Sequence, residues 1–249
     1  MGLIPHSHAE RMARAADKRR RLLAFLRTEI WTTGDVVGEL LDIRHPHTIR
    51  SLIHKLVAEE LLISDEVVLP NGNTIKLVGV TLNGQAHAAD LVGKDIILRH
   101  YEKGRVGLST IHHTLDLQML RIRFAKAGWK GWTYADRLPP DQKSRTPHRP
   151  DAVSVHPGNG QRYAIEAERH LKTKKRYEAI IGHHLTGIWG GTYDRVLYAT
   201  PTGIEGGALV SILSRINRVT VAGQSTPFTD KERALFAVTS YEGAPRLDA

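Results

Sequence analysis

The chain reads as an α/β protein of the α+β kind, with a small helical unit carrying a β-hairpin followed by a larger unit of order α-β-β-β-α-β. Three observations predict this. Apolar residues recur at helical spacing through the first third of the chain. Asn71-Gly72 joins two β-like runs, a strong hairpin signal because both residues accept positive φ. Beyond residue 109, short apolar or alternating runs are separated by longer helical ones.

Residues 1–10 carry no clear pattern and read as a loose tail. Residues 11–28 predict a basic helix whose apolar stripe is Leu22, Leu23, Phe25 and Leu26. Thr32-Thr33-Gly34-Asp35 can cap a second helix over 36–41, since a hydroxyl or carboxylate satisfies the free N–H groups of a first turn. After Arg44-His45-Pro46-His47 a third helix covers about 48–60, with Ile49, Leu52, Ile53, Leu56 and Val57 at i, i+3, i+4, i+7, i+8. Two β runs, 62–69 and 74–82, flank the turn at Pro70-Asn71-Gly72-Asn73, and a helix over 83–92 closes the unit. Three helices and a hairpin wing over 11–93 make the pattern of a winged helix-turn-helix, whose third helix enters the major groove. His47, Arg50, Ser51, His54 and Lys55 on its exposed side are candidate phosphate and base-edge contacts. Such modules also serve as protein-docking or dimerisation units.

Residues 94–108 read as a connector containing Gly104 and Gly107, and 109–249 as a second domain. Its first helix covers about 109–127, with Leu117, Leu120, Ile122 and Phe124 apolar and Gly128 as a stop. His112 and Asp116 share a face of it at i, i+4. A strand near 132–135 leads into a Pro-rich polar loop over 138–147. Two strands around Asp151 and Glu166 are joined by Pro157-Gly158-Asn159-Gly160. A basic helix over 171–184, a buried strand over 195–199, a helix near 208–216 and a strand near 234–239 follow. Trp129 and Trp132 read first as core or interface residues and second as base-stacking platforms.

The 249 residues suffice for a large domain or two small ones. With no cysteine, disulfides and thiolate metal sites are excluded; this fits the cytoplasm, and no apolar run approaches the roughly 20 residues that span a bilayer. The start of the chain lacks the apolar core of a signal peptide. Net charge is +9, and it is unevenly spread. Residues 1–93 carry 11 Lys+Arg and 11 Asp+Glu, whereas 94–249 carry 24 and 15. A basic excess on one module favours a polyanionic partner.

The chemistry concentrates at Arg149-Pro150-Asp151-Ala152-Val153 and at Ile165-Glu166-Ala167-Glu168. Strand residues two apart share a face, so Glu166 and Glu168 point together, and hairpin pairing brings Asp151 to them. Clustered carboxylates repel one another, and a hard divalent cation relieves that repulsion. The basic run His170-Leu171-Lys172-Thr173-Lys174-Lys175-Arg176-Tyr177 follows at once and suits a phosphate; Lys174, Lys175 and Arg176 are candidate DNA-backbone contacts. The competing reading makes Glu166 and Glu168 solvent-facing partners of Arg162 and Arg169. Metal, acids and cations together suggest cutting a nucleic acid.

Pro150-Asp151 with Glu166-Ala167-Glu168, set in an αβββαβ order, resembles the PD-(D/E)xK restriction-endonuclease-like superfamily. Together with Ile111-His112-His113-Thr114-Leu115-Asp116-Leu117 and Lys175-Arg176-Tyr177, it looks like the MobC-type plasmid relaxases and the related replication-relaxation proteins. This resemblance implies a DNA nickase that cuts one strand at an origin of transfer to start conjugative mobilisation. It implies duplex and locally unpaired DNA as partner, an accessory mobilisation protein, and a coupling ATPase. It also implies Mg²⁺ or Mn²⁺ held by Asp151 and Glu166, lowering the pKa of a bound water. Glu168 occupies the motif's lysine position, where it would be a further ligand or a base, and Lys172 is the natural substitute for the lysine. Asp116 and His113 are candidates to complete the metal shell, although a packing role is the stronger reading for the histidine pair. His183-His184, with no carboxylate at matching helical spacing, reads as structural. Tyr134, Tyr163, Tyr177 and Tyr193 are possible covalent nucleophiles, of which Tyr177 in the basic helix has the best surroundings for a phenolate; a metal-activated water is equally open. A non-catalytic plasmid replication or transcription regulator and a double-strand endonuclease are the alternative readings.

Overall fold

The computed structural model describes residues 7–138 and 148–247. Most of the tail expected over 1–10 and the Pro-rich loop beyond Leu138 lie outside the described residues. The fold is mixed α/β, and contacts divide the chain into two compact units, Met1–Met119 and Leu120–Ala249.

In the first unit, α1 (His8–Glu29) starts at a capping box between Ser7 and Glu10 and buries Leu22, Leu23, Phe25 and Leu26. It is followed by β1 (Trp31–Thr33), α2 (Gly34–Leu41), α3 (Pro46–Ala58), β2 (Leu62–Val68), β3 (Thr74–Val80) and α4 (Leu82–Leu91). The strands form an antiparallel sheet of order β1-β3-β2. β1 is the one element not expected; three residues are too few to show a period. Thr33 is the N-cap residue of α2, but its side chain makes no capping bond.

The expected connector holds no helix or strand between 92 and 110, yet it is packed onto this sheet. Tyr101 is buried, its N–H donates to the Val80 carbonyl at 2.8 Å, and its hydroxyl donates to Asp65 at 2.7 Å. A Cβ on Gly79 would fall 2.2 Å from Tyr101 Cγ, so only glycine lets the ring lie against β3. Next comes α5 (Ile111–Lys126). Near its middle the buried Gln118 accepts from the Thr32 hydroxyl at 2.7 Å and donates to the Trp31 carbonyl at 2.8 Å, so both ends of its amide are satisfied.

The second unit contains β4 (Lys130–Tyr134), β5 (Ala152–Val155), β6 (Arg162–Ala167), α6 (Lys174–Trp189), β7 (Arg195–Thr200), α7 (Gly203–Ser214), β8 (Arg218–Val221), β9 (Gln224–Pro227), α8 (Asp230–Arg233) and β10 (Phe236–Ser240). Its five-stranded sheet runs β10-β7-β6-β5-β4. β4, β5 and β6 form an antiparallel meander, while β7 and β10 continue parallel to β6. Parallel pairing requires a crossover, and α6 supplies it between β6 and β7. Val153, Ala164 and Tyr198 pack on Tyr177, Ile180, Ile181 and Leu185 of α6. With Ala164 on that face, Glu166 two residues on faces α6 as well. Trp129 belongs to the core: it is buried, its ring lies 4.5 Å from Phe124 and 5.3 Å from Tyr163, and its N–H donates to the Pro245 carbonyl.

The β8–β9 hairpin was not expected, because two four-residue runs are too short to register as strands. It packs closely on α6: a Cβ on Gly182 would sit 2.1 Å from the Thr220 carbonyl oxygen. No helix is long and apolar enough to cross a membrane among the described residues.

Candidate metal centre

The acids of the second unit do not lie on an open face. Glu166 and Glu168 are both buried, 6% and 3% exposed, which excludes the reading that made them solvent-facing. Asp151, just before β5, donates its N–H to the Ile165 carbonyl, and its Oδ2 accepts from the Ala167 N–H at 2.8 Å. That bond ties the Asp151 carboxylate to the backbone of the neighbouring strand at Ala167, the residue after Glu166. The hairpin thus ties Asp151 to the backbone between the two glutamates, without Asp151 joining the group that converges on Glu166.

Glu166 meets partners that its own strand does not supply. Its Oε1 lies 2.9 Å from His148 Nε2 and 3.1 Å from His184 Nε2. His184 is fully buried in α6, and His148 stands three residues ahead of Asp151. Among the described residues, His148, Glu166 and His184 are the one group of three metal-ligating side chains whose donor atoms converge within 4.8 Å. Burial pushes the Glu166 carboxyl up, but the two imidazoles outweigh it and bring the pKa down to about 2. His183 stacks near His148 with centroids 6.5 Å apart, and burial, then the neighbouring His148 and His184, disfavours its charged form.

Two polar atoms around Glu166 are buried without a hydrogen bond: His184 Nε2 and the Tyr198 hydroxyl. His184 Nε2 is close to the carboxylate but not aligned for a hydrogen bond, so proximity there is not satisfaction. His184 Nδ1 is held by the Tyr193 hydroxyl at 2.9 Å. Tyr198 pairs with Glu166 across β6 and β7, and burial, followed by the charges of Glu166 and Glu168, pushes its ionisation well up.

Glu168 has a different partner. Lys172 Nζ donates to its Oε1, and Lys172 also stands 5.8 Å from the centre of the Tyr177 ring. Lys172 precedes α6 rather than lying within it, because the N-cap is Thr173, which accepts from the Arg176 N–H. Lys174, Lys175 and Arg176 are exposed in the first turn, with Lys174 near Glu178 at 3.5 Å. Cations at a helix N-terminus oppose its dipole, so this turn favours an anion in front of it.

Several expectations are corrected here. Of the predicted ligands only Glu166 joins the converging group; Asp151 is bound to the backbone and Glu168 to Lys172. Asp116 and His113 lie half-buried on the part of α5 that belongs to the first unit and are not in the group. Tyr177 is fully buried, and burial raises its ionisation well above the ordinary range, the reverse of a poised phenolate. Tyr163 and Tyr193 are buried too. His184, read as structural and as lacking a carboxylate, has one: it lies in the converging group with Glu166, on another element. One signal pointed to it: it stands in the apolar stripe of α6 with Tyr177, Ile180 and Ile181, where a histidine needs a polar partner. Nothing in the sequence pointed to His148. In the first unit, His47, Arg50, Ser51, His54 and Lys55 are all exposed on α3.

Comparison with family models, with curated proteins and with solved structures returns no match.

Proposed function

We propose that this protein is a metal-dependent DNA nickase of relaxase type, acting on one strand at an origin of transfer to start mobilisation. The observation that carries the reading is the convergence of two imidazoles on the buried Glu166, with Asp151, just before β5, bonded to the backbone of the next residue. The antiparallel meander continued by a parallel strand supports a PD-(D/E)xK-like arrangement of the second unit. The order α1-β1-α2-α3-β2-β3 supports a winged helix-turn-helix in the first, with α3 as the helix that reads DNA. A bound divalent ion supplies Lewis acidity and a water of lowered pKa. Glu166 would hold that ion, Asp151 would orient the attacking water, and the Lys172–Glu168 pair with the basic first turn of α6 would position the phosphate. Burial of Tyr163, Tyr177 and Tyr193 supports water over these three tyrosines as the nucleophile. A DNA-binding regulator is the second reading, favoured by the internal bonding of Asp151 and Glu168.

The test is relaxation of a supercoiled plasmid carrying the candidate origin, with Mn²⁺, Mg²⁺, Co²⁺ and Zn²⁺ supplied in separate reactions. Wild type should yield open circles only when the origin is present, and Asp151→Asn should cut at least about 100-fold more slowly. Linear product would replace nicking by double-strand cleavage. Retained specific binding without any cleavage would favour the regulator.

A further inference from the structure

We infer that His148, Glu166 and His184 form a two-histidine, one-carboxylate site for an imidazole-preferring first-row divalent ion such as Zn²⁺ or Co²⁺, and not for Mg²⁺. The site shares Glu166 with the proposed nickase centre and replaces Mg²⁺ there with an imidazole-preferring ion, while its geometry stands apart from the cleavage chemistry. Ion–ligand bonds of about 2.0–2.2 Å place adjacent donor atoms about 3 Å apart, which matches the 2.9 and 3.1 Å separations at Glu166 Oε1. All three donors converge within 4.8 Å.

The second observation is the state of His184 Nε2. It is buried, lies 3.1 Å from the carboxylate, and makes no hydrogen bond. Leaving such a group unsatisfied costs about 1–3 kcal/mol, and an ion between the imidazole and the carboxylate removes that cost. In the tautomer whose Nδ1–H donates to the Tyr193 hydroxyl, 2.9 Å away, Nε2 carries the lone pair that an ion would use. A partner on the far ring nitrogen is how metal-bound histidines are oriented. The ring of Tyr198, whose hydroxyl is also buried without a hydrogen bond, lies 6.1 Å from that of His184.

Donor type decides the ion. Mg²⁺ prefers oxygen ligands and keeps most of its waters, which a buried nitrogen-rich pocket does not accommodate. Imidazole suits Zn²⁺, Co²⁺ and their neighbours, with affinity rising toward the end of the row. Three protein ligands leave at least one position open, as in catalytic centres. Asp151 and Glu168, engaged elsewhere, are not ligands here.

The experiment is titration of the chelator-treated full chain with Co²⁺, without DNA, read by visible absorption and competed with Zn²⁺ and Mg²⁺. We expect one Co²⁺ per chain, displacement by equimolar Zn²⁺, and no displacement by a hundredfold excess of Mg²⁺. His148→Ala is the decisive variant because His148 is half-buried outside helix and strand; affinity should fall at least tenfold with circular dichroism unchanged. Tyr193→Phe should lower affinity about tenfold while keeping the spectrum. Failure to bind Co²⁺, wild-type affinity in His148→Ala, or effective competition by Mg²⁺ would overturn the inference. A chain that binds Co²⁺ through His148 yet never nicks keeps this site and loses the nickase reading.

Discussion

Helices α3 and α6 are both basic, and they use polar residues in opposite ways. Helix α3 buries Ile49 and Leu56 and turns His47, Arg50, Ser51, His54 and Lys55 to water. Helix α6 exposes Lys174, Lys175 and Arg176 in its first turn but carries Tyr177 and His184 into the core. The polar face of α3 is solvated before anything binds, so its residues are free to vary without consequence for folding. The polar residues inside α6 are part of the packing, and each needs a partner brought from another element. Stability measurements should separate the two helices sharply.

The largest effect belongs to Gly182→Ala. The added methyl group meets the Thr220 carbonyl oxygen of β8, so the hairpin must move; about 3 kcal/mol of stability should be lost in urea unfolding. A loss under 0.5 kcal/mol would mean that β8 does not hold its place against α6. Lys172→Ala should follow at about 2 kcal/mol, because it leaves the buried Glu168 carboxylate without its cation; the figure is held down because Lys172 is partly solvated. Lys174→Ala, two residues on and exposed, should change stability by less than about 0.5 kcal/mol. Tyr177→Phe removes the hydroxyl that accepts from the Lys172 N–H and should cost about 1 kcal/mol. It also asks which nucleophile acts: nicking should survive, and its abolition with folding intact would restore a tyrosine mechanism.

The smallest stability effect belongs to α3. Arg50→Ala should leave unfolding within about 0.5 kcal/mol of wild type. Specific DNA binding should nevertheless weaken by about 1–3 kcal/mol if Arg50 reads a base edge. A loss that is equal on all sequences, with the salt slope lower by about one, would make it a phosphate contact. Unchanged binding would remove α3 from the DNA interface.

The order of helices and strands was legible wherever an element was long enough to show its period or had a chemical marker. The α3 stripe, the Asn71-Gly72 turn and the run Tyr163-Ala164-Ile165 before Glu166 are examples, and strand alternation alone put Glu166 and Glu168 on one face. Elements of three or four residues, β1 and the β8–β9 hairpin, carried no period to read. The packing of residues 92–110 was also hidden, since it depends on Tyr101 finding the space above Gly79. At the site, hairpin pairing put Asp151 against the strand that carries Glu166, because neighbouring strands in an antiparallel pair are local in sequence. His184 is different: it reaches Glu166 only because α6 crosses back over the sheet, and the carboxylate it needs stands 18 positions earlier on another element. His148 likewise depends on where the chain enters β5. The sequence by itself therefore determined which strand carries Glu166 and which helix is basic. Only the tertiary structure decided that burial, not solvent, surrounds Glu166 and Glu168, that two imidazoles converge on Glu166, and that Tyr177 is packed away, because a side chain's partner across a crossover is set by three-dimensional packing and leaves no period in the chain.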